Sequence, residues 1–205
     1  MEHFDNYVAL PQELKNKFEI YENTLRKWNN RINLVSKTTL SEFQNRHIKD
    51  SLQLFPYLRG TKILDTGSGA GFPGLVLAIA AQSKEFLNRY KLPHIEVTCL
   101  DSDFRKILFL NEISRLTDAD ADLICDRIEN LKQNFDTVTA RGFASLKILL
   151  TMTSKLSKYF VFLKGEKLAK EIEEAEKFFE FNYQIYSSNT DLRGKIITIE
   201  NVQLK

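Results

Sequence analysis

The chain has 205 residues, of which 43% are hydrophobic, and its 29 Lys and Arg residues nearly balance its 27 Asp and Glu residues. This size allows a full core in one α/β domain with a small appendage. A net charge of +2 is too weak to argue for nucleic-acid binding. No apolar run approaches 18 residues and the N-terminus lacks a signal pattern, so a soluble, cytoplasmic protein is expected.

Residues 1–60 predict a small helical cap. Apolar residues recur at three- and four-residue steps after Pro11, in the order Leu14, Phe18, Tyr21, Leu25 and Trp28. A second helix is predicted near 39–46 and a third from His47 to Leu58, where Pro56 interrupts its end. Ten Lys or Arg residues against seven Asp or Glu residues in 1–62 fit either an RNA-facing surface or a merely solvated one.

Residues 61–205 predict an α/β domain that forms one compact unit with the cap. Strands are expected at 61–65, 95–100, 122–125, 136–140, 159–163, 183–187 and 195–202, and helices near 74–89, 103–116, 145–156 and 167–180. Such alternation predicts a seven-stranded, mostly parallel sheet with helices on both faces. Because no helix separates the last two strands, the final one is expected to be an antiparallel partner. Residues 82–94 are expected to form a helix end and a surface loop.

A glycine-rich turn follows the first strand, in the segment KILDTGSGAGFPG at 62–74. Its glycines let backbone N–H groups approach a ligand closely. The spacing Gly69-x-Gly71-x-x-Gly74 also fits a dinucleotide fingerprint, so a nicotinamide-dependent oxidoreductase is the alternative. Asp65 favours S-adenosylmethionine, because a carboxylate would repel a pyrophosphate and attract the ammonium and sulfonium of the methyl donor.

The next two strands end on further candidate cofactor contacts. Asp101 is positioned to accept both hydroxyls of a ribose, although Asp101 or Ser102 could instead cap the helix that follows. Backbone groups near Ile128 and Glu129 could bond the edge of an adenine, with Ile128 packing on the ring. A plain loop would explain that segment equally well.

Arg141, at the end of the fourth strand, is expected to face the cofactor crevice, unless it caps carbonyl groups or pairs with Asp65. The chain has no Asn/Asp-Pro-Pro-aromatic loop, no Pro-Cys loop and no metal-ligand spacing of His, Cys or carboxylates. Guanine N7 needs none of these, because it carries an available lone pair and no proton. Cys99 and Cys125 are expected to be buried free thiols.

Several motifs occur in a fixed order along the chain: Lys27-Trp28-Asn29-x-x-Ile32-Asn33-Leu34, Arg46-His47-Ile48-x-Asp50-Ser51, the 65–74 turn, Leu100-Asp101-Ser102, Arg105-Lys106-x-x-Phe109-Leu110 and Arg141-x-Phe143-Ala144-Ser145-Leu146. With these motifs the chain resembles the bacterial 16S ribosomal RNA guanine-N7 methyltransferases, also called the glucose-inhibited division protein B family. The resemblance runs from about Tyr21 to the C-terminus. It is specific, because the first two motifs are not generic methyltransferase features.

The resemblance implies a Rossmann-like class I fold and S-adenosylmethionine-dependent methylation of a guanine N7 in the 530 loop of 16S rRNA, within the small ribosomal subunit or its precursor. A monomer is expected. A ribosome-assembly factor that keeps the fold without catalysis is a further alternative.

The resemblance also implies roles for particular residues. His47, Arg141 and Lys164 are the candidate catalytic or base-contacting residues, although His47 could equally be a hydrogen-bonded link between cap and sheet. Together, the residue patterns and the resemblance predict these cofactor contacts: Asp65, Gly67, Ser68, Gly69, Gly71, Phe72, Asp101, Ser102, Ile128, Glu129 and Arg141. No metal site is expected.

Overall fold

The computed structural model describes residues 10–205, so the expectations for residues 1–9 lie outside the described part. Helix α1 (Gln12–Asn29) begins after Pro11, whose fixed φ suits a helix start. The predicted apolar face is confirmed, since Leu14, Phe18 and Tyr21 are fully buried. Four further short elements complete the cap: α2 (Lys37–Ser41), a π-helical turn (Gln44–Lys49), α3 (Asp50–Leu52) and a 3-10 turn (Phe55–Tyr57).

The cap is more broken than the sequence predicted. In place of helices near 39–46 and 47–58, α2 ends at Ser41 and a π-helical turn runs directly into α3. This turn buries His47 and Ile48. Hydrophobic periodicity does not detect the extra residue of a π-helical turn. For this reason the sequence predicted ordinary helices here.

The predicted seven-stranded sheet is confirmed. Its strands are β1 (Lys62–Thr66), β2 (Glu96–Asp101), β3 (Ala121–Cys125), β4 (Thr137–Arg141), β5 (Tyr159–Lys164), β6 (Phe179–Ser187) and β7 (Lys195–Leu204), in the spatial order β3-β2-β1-β4-β5-β7-β6. Strands β1 to β5 are parallel, and β7 pairs antiparallel with both β5 and β6, as expected. The strand order reverses between β1 and β4, where sheets of this kind bind ligands at the carboxyl ends.

Five helices connect the strands: α4 (Gly74–Ala81), α5 (Lys84–Tyr90), α6 (Phe104–Thr117), α7 (Leu146–Thr153) and α8 (Leu168–Glu176). The single helix predicted near 74–89 is two helices, because the side chain of Ser83 caps a new start by accepting from the N–H of Phe86. Helix α8 ends four residues before the predicted end, and β6 begins four residues earlier than predicted.

Cap and sheet share one hydrophobic core. Buried side chains of α1, α4 and α6 belong to one cluster. Every residue of α4 is buried. A second cluster lies between the sheet and α7 and α8. The division of the chain near residue 60 stays a prediction.

Two smaller observations complete the fold. Cys99 is buried, but the expectation that Cys125 is also buried was wrong, because this residue ends the edge strand β3 and is exposed; both thiols are free. No helix within residues 10–205 is long and apolar enough to span a bilayer.

Candidate active site

Two cavities lie side by side at the carboxyl ends of the strands, where the strand order reverses. The first has a volume of about 570 Å³ and the second about 670 Å³. Residues 141–143, at the carboxyl end of β4, line both cavities. Most of the predicted cofactor contacts line the first: Gly67, Ser68, Gly69, Phe72, Asp101, Ser102, Ile128, Glu129 and Arg141. The three candidate catalytic residues, His47, Arg141 and Lys164, line the second.

The glycine turn after β1 forms the floor of the first cavity. Gly67 and Gly69 have φ values of 65° and 56°, which strongly favour glycine. The turn is tied to β2, since the N–H of Ser68 donates to the carbonyl of Leu100 at 3.0 Å and the N–H of Gly69 donates to Asp101 Oδ2 at 2.9 Å. A Cβ at Gly69 would meet no heavy atom closer than 3.8 Å, so the space beside this backbone is open.

Asp101 organises the end of β2. Its Oδ1 accepts from the N–H of Asp103 at 2.9 Å, and its Oδ2 faces Lys106 Nζ at 3.3 Å. Helix α6 is capped by Asp103, whose carboxylate accepts from the N–H of Arg105. The alternative that Asp101 or Ser102 caps this helix is therefore wrong, and Asp101 faces the cavity.

The cap contributes a wall of the first cavity that sequence reasoning missed. Leu34 and Val35 line it, and they are held by Asn29, whose Oδ1 accepts from both of their N–H groups at 2.9 and 3.0 Å. The Nδ2 of Asn29 donates to the carbonyl of Val35 at 3.0 Å. The motif Trp28-Asn29-x-x-Ile32-Asn33-Leu34 was the available signal, and its asparagine now has a physical role.

Asp65 and Gly71 are the two predicted cofactor contacts that do not line the first cavity. Asp65 is the one whose chemistry the sequence argument used. It is fully buried behind the glycine turn, where Oδ2 accepts from the N–H of Gly74 at 3.0 Å. Oδ1 has no hydrogen-bond partner among the described residues. Burial raises the pKa of Asp65 to about 7, so near neutral pH its carboxyl is not the fixed anion from which the sequence argument began.

Arg141 links the sheet to the cap. Its guanidinium donates to the carbonyl of Arg46 at 2.6 Å, to Asp50 Oδ2 at 3.0 Å and to His47 Nδ1 at 2.8 Å. It also lies 4.8 Å from the centre of the Phe72 ring. The suggestion that Arg141 caps a carbonyl is confirmed, whereas its suggested ion pair with Asp65 is replaced by the pair with Asp50.

His47 is a buried, neutral partner of this arginine. Because a guanidinium only donates, Nδ1 of His47 accepts and its proton resides on Nε2. Burial, followed by the charges of Arg141 and Arg46, lowers the pKa of His47 to about 3. Its ring stacks on Phe72 with centroids 4.4 Å apart. The linking role between cap and sheet is therefore realised, and the geometry does not suit a general base.

Lys164 is engaged by its own surroundings. Its ammonium donates to the carbonyl of Ala144 and to Glu171 Oε2, both at 2.7 Å, and its side chain is only 7% exposed. The same Glu171 oxygen accepts from the N–H of Leu146 at 2.8 Å. Lys164 therefore fixes the segment after Arg141 from inside the second cavity.

The loop between β6 and β7 closes the far side of the second cavity, which sequence reasoning did not foresee. Thr190 Oγ1 donates to Asp50 Oδ1 at 2.7 Å, and the N–H of Asn189 donates to Gln53 Oε1 at 2.9 Å. Arg46 pairs with Asp191 from the same loop. No group of three or more possible metal ligands occurs among residues 10–205.

The family model described as rRNA small subunit methyltransferase G (GidB) matches residues 14–198. The chain belongs to this family. It is 38% identical over 199 residues to "Ribosomal RNA small subunit methyltransferase G" of Rickettsia prowazekii, covering 95% of this chain and 98% of the relative. It is 41% identical over 194 residues to the protein of the same name from Orientia tsutsugamushi, covering 92% and 91%. The protein is accordingly an enzyme of the methyltransferase class.

Solved structures agree on the fold. The ribosomal protein L11 methylase of Lactobacillus delbrueckii has a TM-score of 0.55 at 19% identity, over 74% of this chain and 76% of its own. The magnesium protoporphyrin IX methyltransferase of Synechocystis with bound SAM also has a TM-score of 0.55, at 11% identity over 95% and 99% of the two chains. At these identities the likeness shows the Rossmann-like methyltransferase fold alone.

Proposed function

We propose that the protein transfers a methyl group from S-adenosylmethionine to N7 of one guanine in the 530 loop of 16S rRNA. The observation that carries this proposal is the pair of adjoining cavities, one built on the glycine turn and one reached by the cap and by the β6–β7 loop. In a member of this family, the first suits the donor and the second suits the base that receives the methyl group.

The residues of the first cavity fit the donor. The open space beside Gly69 leaves its backbone accessible, as a methionine or ribose group requires. Asp101 accepts three hydrogen bonds, and the one from Lys106, at 3.3 Å on a partly exposed side chain, is the one that ribose hydroxyls would replace. Ile128 is buried at the cavity wall, where it would pack against an adenine. When bound, S-adenosylmethionine supplies an electrophilic methyl group.

The second cavity fits an acceptor that needs no deprotonation. His47 is neutral with Nδ1 occupied, and the ammonium of Lys164 is paired with Glu171, so neither is set up to remove a proton. Guanine N7 loses none, so orientation of its lone pair toward the methyl group suffices. Arg141, anchored by the cap, keeps the two cavities in a fixed relation.

The proposed partner is 16S rRNA in the small ribosomal subunit or its precursor, met by a cytoplasmic monomer. The net charge of +2 is too low for tight binding through phosphates alone. The target guanine has to leave its stack to enter the second cavity. We therefore propose that the folded ribonucleoprotein, more than naked RNA, completes recognition.

Calorimetric titration with S-adenosylhomocysteine and with NAD⁺ tests the donor assignment. We expect binding of S-adenosylhomocysteine only, and loss of this binding in Gly69→Asp. The new side chain fills the open space beside the turn, while aspartate tolerates the left-handed backbone. The control is Asn201→Asp, which adds a carboxylate at an exposed position with φ of 59° that lines neither cavity. Binding of NAD⁺ alone would support the oxidoreductase alternative. An unchanged affinity of Gly69→Asp for S-adenosylhomocysteine would exclude the glycine turn from the donor site.

A further inference from the structure

Phe143 occupies the boundary between the two cavities. It lines both of them, and its side chain is 43% exposed although it is a large aromatic group. Neither the candidate cofactor contacts nor the candidate catalytic residues included it. Other exposed aromatic side chains, such as Phe178 at 40% and Phe104 at 62%, line neither cavity.

The backbone holds this ring in place. Gly142 before it has φ of 62°, which turns the chain sharply after β4. The ring then lies against Gly67, so closely that a Cβ at Gly67 would overlap it. Beyond the ring, Ala144 accepts from Lys164 and the N–H of Leu146 donates to Glu171. The ring is thus packed on the glycine turn, and it lines both the first and the second cavity.

We propose that Phe143 is the stacking surface for the target guanine, a positioning role that rests on the proposed function. The lone pair of N7 lies in the plane of the purine, so the methyl group has to approach within that plane. A ring stacked on the face of the base fixes the orientation of this plane. Phe143 lines both cavities, so a base stacked on it would lie next to the donor cavity. Stacking on an aromatic side chain is also how proteins commonly hold an extruded base.

Single-turnover methyl transfer to unmodified small subunits tests this role, with Phe143→Leu and Phe143→Tyr compared at saturating donor. Leucine keeps an apolar side chain without a flat face, so we expect the rate to fall at least about tenfold, equivalent to about 1.4 kcal/mol. Tyrosine restores the ring and should stay within about threefold of the unmodified protein. The affinity for S-adenosylhomocysteine, measured by titration, should change less than about twofold in both variants.

The matched control is Phe178→Leu, the same substitution at a similar exposure away from both cavities. Three results would overturn the proposal: a wild-type rate in Phe143→Leu, a tyrosine variant as slow as the leucine variant, or a loss of donor affinity equal to the loss of rate. The last result would make Phe143 a packing residue of the donor site. If the unmodified protein binds donor but methylates no guanine N7, the proposed function fails and this inference fails with it.

Discussion

At the scale of single residues, burial decides what Asp65 can do. Its carboxyl is enclosed behind the glycine turn, between Cys99 and Thr139 on the neighbouring strands, with one oxygen unpartnered among the described residues. Because burial disfavours the charged form, the folded protein holds a proton on Asp65 up to about pH 7, whereas the unfolded chain releases it near pH 4. Asp65 thus lowers the stability of the fold as the pH rises through this interval.

The first prediction concerns Asp65→Asn, which keeps the shape and removes the titration. The free energy of unfolding of this variant, relative to the unmodified protein, should rise between pH 4 and pH 7 and level off above pH 8. The slope is at most about 1.4 kcal/mol per pH unit, the value for one proton. Urea denaturation across this range measures it, and parallel profiles of the two proteins would contradict the account.

Asp136→Asn is a control in which the pH dependence of stability should have the opposite sign. Asp136 accepts from the N–H groups of Lys62 and Thr61, and these bonds lower the pKa of its carboxyl. Its stabilising contribution is therefore present above the ordinary pKa of aspartate and is lost as the pH falls through the folded-state pKa. The loss of unfolding free energy caused by Asp136→Asn should therefore become smaller as the pH falls. The unfolding free energy of Asp65→Asn relative to the unmodified protein should show no such gain toward acid.

The sequence predicted which residues meet at the site better than it predicted what surrounds them. Gly69 and Asp101 were predicted from their spacing to strand ends, and they do line one cavity. Lys164 was also correctly placed, but its bond to Glu171 joins residues of two elements that periodicity cannot pair. The charge state and the hydrogen-bond partners of a side chain depend on tertiary contacts. For this reason the environments of Asp65 and Lys164 differ from those that the sequence led us to expect.

At the scale of elements, the segment after α1 explains why the cap belongs to the candidate active site. Asn29 ends α1 and holds residues 34 and 35 through three hydrogen bonds, so that Leu34 and Val35 form a wall of the first cavity. The cap thereby helps to shape the site that the sheet provides.

The second prediction is that Asn29→Ala weakens the binding of S-adenosylhomocysteine by about tenfold. Loss of three hydrogen bonds, each worth about 0.5–1.5 kcal/mol, frees the wall to move. Titration calorimetry measures the affinity, and thermal unfolding reports any wider loss of structure. Asn30→Ala, at the exposed neighbouring position, is the control and should bind normally. Equal affinities in both variants would show that the hydrogen bonds of Asn29 do not shape the donor cavity.

Strands were easier to predict than helix ends. Five parallel strands were located to within one or two residues, because buried strands are continuous apolar runs with clear turn signals. The long helix predicted from residue 74 was divided by the Ser83 cap, a side-chain bond that hydrophobic periodicity does not detect. Strand β6 begins at Phe179, four residues earlier than predicted, because the helix predicted to residue 180 was extended over the alternating apolar and polar residues that start the strand.

At the scale of the whole molecule, three separate parts of the chain build one site. The cap supplies Arg46, His47 and Asp50, the sheet supplies Arg141, and the β6–β7 loop supplies Thr190 and Asp191. The fold class was predictable from the alternation of elements. The union of cap and terminal loop was not, because it joins positions about 140 residues apart through polar contacts.

The most direct test of the account is transfer of a labelled methyl group from S-adenosylmethionine to unmodified small subunits and to protein-free 16S rRNA. The product is mapped by chain cleavage specific for N7-methylguanine. The account predicts cleavage at one guanine in the 530 loop, with the folded subunit as the better substrate. Bound donor without transfer to any guanine N7 would contradict it and would favour an assembly factor that keeps the fold without catalysis.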